Sequence, residues 1–206
     1  MKVLGFVGSP RKKGNTDVLV DTFLEGASSA GAEVKKYFLA DHTINQCMGC
    51  YRKCILAPGF RCGTFRDDMD LLLKEMVASD LILFASPYYC ASYTAIMAKF
   101  LERCLPLWEV KIKGEMGTKD AFTFINNHLK GKKAIIGLTQ DYKDPSTAQL
   151  AVKTFKETLG GTYMMDIVDI IHVTDVRDVG DMPTKTDVLK KIFATGEDCA
   201  RGKDQQ

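Results

Sequence analysis

The sequence predicts an α/β protein, an open doubly wound parallel sheet of five strands with helices on both faces. Three observations predict it. Five short apolar runs alternate with five segments of helical periodicity. The runs are almost continuously apolar, as in strands covered on both faces. The first run also ends in a glycine-punctuated polar loop that leads straight into a helix start, the strand–loop–helix unit from which such sheets are built.

Taken in order, the strands are expected at Lys2–Val7, Glu33–Leu39, Leu81–Ala85, Lys133–Leu138 and Thr162–Ile171. Helices are expected at Asn15–Ala30, Asp67–Ser79, Tyr93–Cys104, Ser146–Leu159 and Lys185–Cys199. Asp67 or Asp68 caps the second helix, Asp144-Pro145-Ser146 opens the fourth, and Gly160-Gly161 stops it. Two segments stand outside the alternation: a cysteine-rich insertion at 41–66 and a long excursion at 105–131 with the only tryptophan, Trp108. The expected organisation is one domain over residues 1–200, with 201–206 as a frayed tail.

Gly8-Ser9-Pro10-Arg11-Lys12-Lys13-Gly14-Asn15-Thr16 is the segment richest in chemistry. First-turn N–H groups lack intrahelical acceptors and the helix dipole is positive there, so the loop is a candidate phosphate site. Ser9, Asn15 and Thr16 add neutral donors, and Arg11 adds a planar charged one. Asn15 stands where a Walker loop has Lys, and Gly5, Gly8 and Gly14 miss the G-x-G-x-x-G spacing. The phosphate therefore belongs to something other than ATP or a Rossmann-bound dinucleotide.

A net charge of +2 with scattered Lys and Arg gives no footprint for nucleic acid. No apolar run is long enough to span a bilayer, and no signal-peptide pattern is seen at the start. The expectation is a soluble cytoplasmic protein with neither nucleic-acid nor membrane partner. No G-x-S-x-G elbow or H-E-x-x-H pair occurs, which removes two common hydrolase classes. His42, His128 and His172 are isolated, and His172 reads as structural. Asp67, Asp68 and Asp70 read as helix-start charges.

In an open sheet of order 2-1-3-4-5, ligands bind beyond the carboxyl ends of the strands, between strands one and three. Strand one leads into the phosphate loop. Strand three leads into Ser86-Pro87-Tyr88-Tyr89-Cys90-Ala91-Ser92, whose rigid, aromatic and small residues suit a flat ring. Thr139-Gln140-Asp141-Tyr142, after strand four, borders the same cleft and offers hydrogen bonds to a ring's polar edge.

Together, Gly8-Ser9-Pro10-Arg11-x-x-Gly14-Asn15-Thr16 and Ser86-Pro87-x-Tyr89 resemble the NAD(P)H-dependent FMN reductase and multimeric flavodoxin-like families. The resemblance implies a flavodoxin-like fold and non-covalent FMN. Ser9, Arg11, Asn15 and Thr16 would hold the phosphate. Pro87, Tyr88, Tyr89, Cys90 and Ala91 would contact the flavin or ribityl chain, with Thr139 and Gln140 nearby. It also implies a homodimer or homotetramer.

Cys47, Cys50, Cys54 and Cys62 are four of the seven cysteines. Such clustering reads as metal or redox chemistry: an iron–sulfur cluster, zinc, or thiols that are free or reversibly oxidised. Cys90, Cys104 and Cys199 read as small buried apolar residues. The placement resembles the iron–sulfur flavoproteins, in which a compact motif holds a [4Fe–4S] cluster that passes electrons to FMN. Three residues separate Cys50 from Cys54, where that family has two. The expected function is an oxidoreductase taking electrons from NAD(P)H, or from a ferredoxin-type carrier, to a quinone, flavin or similar small acceptor. The alternative is a non-enzymatic flavin electron carrier or redox sensor with thiol chemistry.

Overall fold

The computed structural model describes residues 1–57, 59–114 and 122–203. Its elements, in chain order, are strand β1 (Lys2–Val7), helix α1 (Asn15–Ser29), β2 (Glu33–Phe38), a short α2 (Arg52–Ile55), α3 (Met69–Ala78), β3 (Leu81–Pro87) and α4 (Ala95–Glu102). A hairpin of β4 (Trp108–Ile112) and β5 (Phe122–Asn127) follows. Then come β6 (Lys133–Thr139), α5 (Gln149–Lys156), β7 (Asp166–Val173), a short α6 (Asp181–Thr184) and α7 (Thr186–Ala200).

The main sheet has five strands in the order β2-β1-β3-β6-β7, all parallel. Counting only its own strands, this is the expected 2-1-3-4-5 order of the flavodoxin-like fold. Alternate residues of each strand face opposite layers. Leu4, Phe6, Ile82 and Phe84 pack with α3, α4 and α5 residues such as Leu72, Phe100 and Phe155. Val3, Val7, Leu81, Leu83 and Ala85 pack with Leu19, Phe23 and Ile192 of α1 and α7. Two apolar layers thus sandwich the sheet. The α1–α7 seam is close because both contacting residues are glycines. A Cβ on Gly26 would overlap the Phe193 carbonyl oxygen, and one on Gly196 would overlap that of Phe23.

Three expectations need correction. Gly160-Gly161 does not stop the fourth helix: α5 widens into a π-turn over Glu157–Thr162, so β7 begins at Asp166 rather than Thr162. The excursion at 105–131 contains the antiparallel β4–β5 hairpin; its residues 115–121 lie outside the described ones. Its period-2 alternation Trp108-Glu109-Val110-Lys111-Ile112 was a readable strand signal. Finally, Asp67 does accept from Met69 N at the start of α3, at 3.3 Å, as a cap, but it is more than a helix-start charge: its side chain is wholly buried and pairs with Arg103. Asp144 does cap as expected, accepting from Ser146 N at 2.9 Å. At the carboxyl end, Arg201 and Lys203 N–H groups still bond the last carbonyls of α7; residues 204–206 of the predicted tail lie outside the described ones.

Candidate functional site

At the carboxyl ends of β1, β3 and β6 lies a cleft of about 190 Å³. Ser9, Arg11, Gly14, Asn15 and Thr16 line one side, Pro87, Tyr88 and Tyr89 the other, with Thr139, Gln140 and Asp141 behind. Parallel pairing of β1 with β3 and of β3 with β6 sets these three loops side by side. Nine of the eleven expected binding residues therefore converge.

The first loop is shaped by its own backbone. Lys13 takes a left-handed conformation (φ 58°) and its N–H donates to Asp17 Oδ2 at 2.7 Å. Gly14 is the N-cap of α1 and supplies no side-chain cap. Its carbonyl accepts the Val18 N–H at 3.0 Å, so intrahelical bonding starts only there; the Gly14 N–H is taken by Arg11 O at 3.2 Å, and the N–H groups of Asn15 and Thr16, both lining residues of the cleft, have no intrahelical acceptor. Asp17 would repel an anion at a helix start. Its carboxylate is instead turned to Lys36 at 2.8 Å. Ser9 Oγ accepts from Arg11 N at 3.1 Å, and Thr16 and Thr139 hydroxyls bond at 2.7 Å, joining the first loop to β6. Asn15 Oδ1 accepts from Met182 N at 3.1 Å, which leaves its amide N–H₂ to donate.

Gln140 has a different task from the one its position implied. Its Nε2 lies 2.9 Å from Tyr142 O, 2.8 Å from Asp144 O and 3.1 Å from Thr147 Oγ1, while Oε1 meets His172 Nε2 at 2.9 Å. The side chain braces the loop behind the cleft. His172 thereby finds its structural place; burial lowers its pKa below the ordinary value, which favours the neutral ring.

Cys90 and Ala91 stand at the tip of a tight turn rather than in the cleft. Tyr89 and Ser92 exchange backbone hydrogen bonds at 2.9 Å each, and Cys90 (φ 47°) and Ala91 (φ 64°) form the two left-handed positions between them. Cys90 is exposed, contrary to the buried role expected of it. Both residues border an open shelf with Tyr88, Tyr89, Asp141, Tyr142 and Thr147, continuous with the cleft. Cys104 and Cys199 are buried as expected.

Val176, Arg177 and Val179, from the loop after β7, also line the cleft and were missed from sequence. The signal was available: that loop too leaves the carboxyl edge of the sheet. The exposed Arg177 guanidinium lies 3.6 Å from Asp141, and its carbonyl accepts from Arg11 Nη1 at 3.4 Å.

The cysteine insertion forms a second site. Cys47, Cys50, Cys54 and Cys62 border one cavity with Phe65, Arg103, Leu105 and Pro106. The extra residue between Cys50 and Cys54 is wound into α2, where Cys54 N–H donates to Tyr51 O at 3.0 Å. Cys50, just before that turn, and Cys54, within it, both still border the cavity. Cys62 Sγ accepts the Thr64 and Phe65 N–H groups at 3.4 Å each, and Cys47 Sγ accepts that of Gly49 at 3.5 Å. Gly63 lets the chain pass against Lys53, whose carbonyl a Cβ there would overlap. Burial pushes the Cys54 thiol up to about 11. Burial acts the same way on Cys62, but the Phe65 and Thr64 N–H groups and the nearby Arg103 outweigh it and hold that thiol below its ordinary value. Among the described residues, no group of three or more His, Cys, Asp or Glu side chains is gathered closely enough to hold a metal ion. The thiols share a cavity without converging on a point.

A doubly wound sheet with a phosphate-type loop and an aromatic loop at its β1/β3 switch point defines the class of flavodoxin-like mononucleotide-binding proteins. Within that class, the family model for NADPH-dependent FMN reductase matches residues 1–130, and the chain belongs to that family. An "Iron-sulfur flavoprotein" of Archaeoglobus fulgidus is 40% identical over 118 residues, 57% of this chain and 52% of that protein. Another, from Methanocaldococcus jannaschii, is 36% identical over 107 residues, 52% of this chain and 53% of that protein. The matches thus span about half the length of these relatives. Among solved structures, an NAD(P)H:quinone oxidoreductase from Methanothermobacter marburgensis superposes with a TM-score of 0.67 at 14% identity, covering 97% of this chain and 98% of that one. That likeness is one of fold.

Proposed function

We propose that this protein is an FMN-dependent oxidoreductase that moves electrons from NAD(P)H, or from a ferredoxin-type carrier, to a small acceptor such as a quinone or flavin. The observation that carries the reading is the cleft itself, where an uncapped helix start, Arg11 and an aromatic loop meet at the switch point. The donors fit a phosphate monoester, and the Tyr88–Tyr89 side fits a ring. FMN bound there would supply the hydride and electron chemistry. The chain's part is placement. The N–H groups at the start of α1 hold the phosphate, with Ser9, Thr16 and the Asn15 amide beside them. Arg11 and Arg177 offset its charge, and Pro87 stiffens the ring side. The open shelf beyond Tyr89 leaves room for an electron donor or acceptor.

The cysteine loop supports a [4Fe–4S] cluster as a second centre. Four thiols on one cavity, with backbone N–H groups directed at two of the sulfurs, form a donor set suited to thiolate ligation. The kinship to iron–sulfur flavoproteins supports the same assignment, and the sulfurs would have to draw together on a cluster. In this reading the cluster relays electrons between an external carrier and the flavin. The protein is expected to work in the cytoplasm as a homodimer or homotetramer, built on one domain spanning residues 1–200. A flavin carrier or sensor using thiol chemistry is the second reading, favoured by the Cys54 and Cys62 thiols, which hydrogen-bond to each other.

The test is a visible spectrum of anaerobically purified protein, with iron and acid-labile sulfide assays on the same sample. Flavin bands, a broad shoulder and about four irons per chain are expected. Flavin without iron would leave the thiol reading. No flavin after addition of FMN would overturn the proposal.

A further inference from the structure

The two ends of the cysteine loop meet on a buried ion pair. Asp67 Oδ2 and Oδ1 take both arms of Arg103, Nη1 at 2.8 Å and Nη2 at 3.0 Å, with side-chain exposures of 0% and 3%. Arg103 Nη1 also donates to Asn45 O at 2.6 Å, and Asn45 returns its N and Nδ2 hydrogens to Asp67 Oδ2, each at 3.0 Å. Asn45 lies just before Cys47, and Asp67 follows Cys62. One guanidinium therefore ties the loop's beginning to its end. It is itself fixed as the C-cap of α4, following the buried Phe100 and Leu101 and the exposed Glu102. The Phe65 ring packs 5.2 Å from it.

The same guanidinium borders the cavity of the four cysteines and is the only cation among its described lining residues; the other charged one, Glu102, is exposed. Buried ion pairs contribute little net stability against an apolar replacement. The placement of this one has a better account in what it holds and faces.

We propose that Arg103, oriented by Asp67, is the positioning residue of the cysteine centre, closing the loop around a [4Fe–4S] cluster and tuning its potential. The proposal rests on the cluster reading above. A cluster held by four thiolates carries net negative charge, which grows by one unit on reduction. Asp67 offsets part of the Arg103 charge, but only the Arg103 end of the pair borders the cavity, so the nearer positive end favours the reduced form and raises the reduction potential. Tied loop ends keep the four thiols within reach of one another, so less conformational freedom is lost when the cluster assembles.

The experiment compares wild type, Arg103→Gln and Arg103→Lys after anaerobic reconstitution with Fe²⁺ and sulfide. FMN content serves as the measure of folding. Iron loss to a chelator and the cluster's midpoint potential, followed by visible and electron paramagnetic resonance spectra, are the readouts. Arg103→Gln is expected to hold FMN, lose iron about tenfold faster and show a more negative potential. Arg103→Lys should recover the potential, because the charge remains, but not the iron retention, because the double hydrogen bond is gone. Should Arg103→Gln fail to bind FMN, iron retention in Arg103→Lys decides. An FMN-loaded variant that matches wild type in iron retention and potential overturns this proposal alone. A wild type that takes up FMN but no iron overturns the cluster reading and this proposal with it.

Discussion

Arg11 shows how much of the site a single side chain made legible, and where legibility stopped. Its position three residues before the N-cap Gly14 of α1, with Ser9 and Thr16 on either side, could be read directly, because an anion site at a helix start is a local pattern. The guanidinium is exposed and its one recorded bond, to Arg177 O at 3.4 Å, is long, so it is available to a phosphate. Arg11→Ala should weaken FMN binding about tenfold, the worth of one charge-assisted hydrogen bond in partial contact with water. Fluorescence titration of apoprotein with FMN measures this, and equal affinity in the two proteins would remove Arg11 from the site. Gln140 marks the other side of the boundary. Its place at the end of β6 was legible, but whether its amide faces ligand or loop depends on Tyr142, Asp144 and His172, which only the fold brings round it. Arg103 and Asp67 are harder still. They lie on different elements, and nothing in either local sequence marks them as partners.

At the level of elements, the strands with uninterrupted apolar runs were legible within a residue or two. β1 and β3 are examples, since burial on both faces leaves few residue types that fit. The misplaced start of β7 has a specific cause. Glycine pairs usually end a helix, but here the chain adds a wide π-turn through Gly160 and Gly161 before the strand begins. The α1–α7 seam was invisible for another reason: Gly26 and Gly196 each sit inside a helical segment, where glycine looks only like a weak helix former. Their role is close approach. Gly26→Ala should force α7 off the Phe193 carbonyl contact and cost about 1–3 kcal/mol, the range for overpacking a close-fitted seam. Thermal unfolding reads this as a drop of roughly 2–4 °C per kcal/mol for a chain of this size. An unchanged midpoint would mean that the seam can open without penalty.

For the whole molecule, acid stability should depend on the pair that ties the cysteine loop to the sheet layer. Burial opposes ionisation of Asp67, but Arg103 and the Asn45 N–H groups outweigh it and hold the carboxyl below its ordinary range. A carboxylate whose pKa is lower in the folded state than in the unfolded one stabilises fully above its unfolded pKa, near 4. That contribution fades as pH falls below this value towards the folded pKa. Stability measured by urea unfolding should therefore be level with respect to this group above about pH 5 and fall on acidification. Asp67→Asn should be less stable by about 3 kcal/mol near neutrality, because it strands the Arg103 charge, and should show a shallower acid limb. An acid limb as steep as in wild type would assign the pH dependence to other carboxylates, such as Glu75 between Lys2 and Lys35.

The knot at Asn45, Asp67 and Arg103 also bears on how this chain can vary over evolutionary time. With both ends anchored, the intervening stretch of about twenty residues behaves as a closed ring. The entropy of closing such a ring changes only logarithmically with its length, so one inserted residue alters it by less than ~0.1 kcal/mol. An added or lost residue between the cysteines, such as the three-residue step from Cys50 to Cys54, therefore costs little, while a change at either anchor opens the ring.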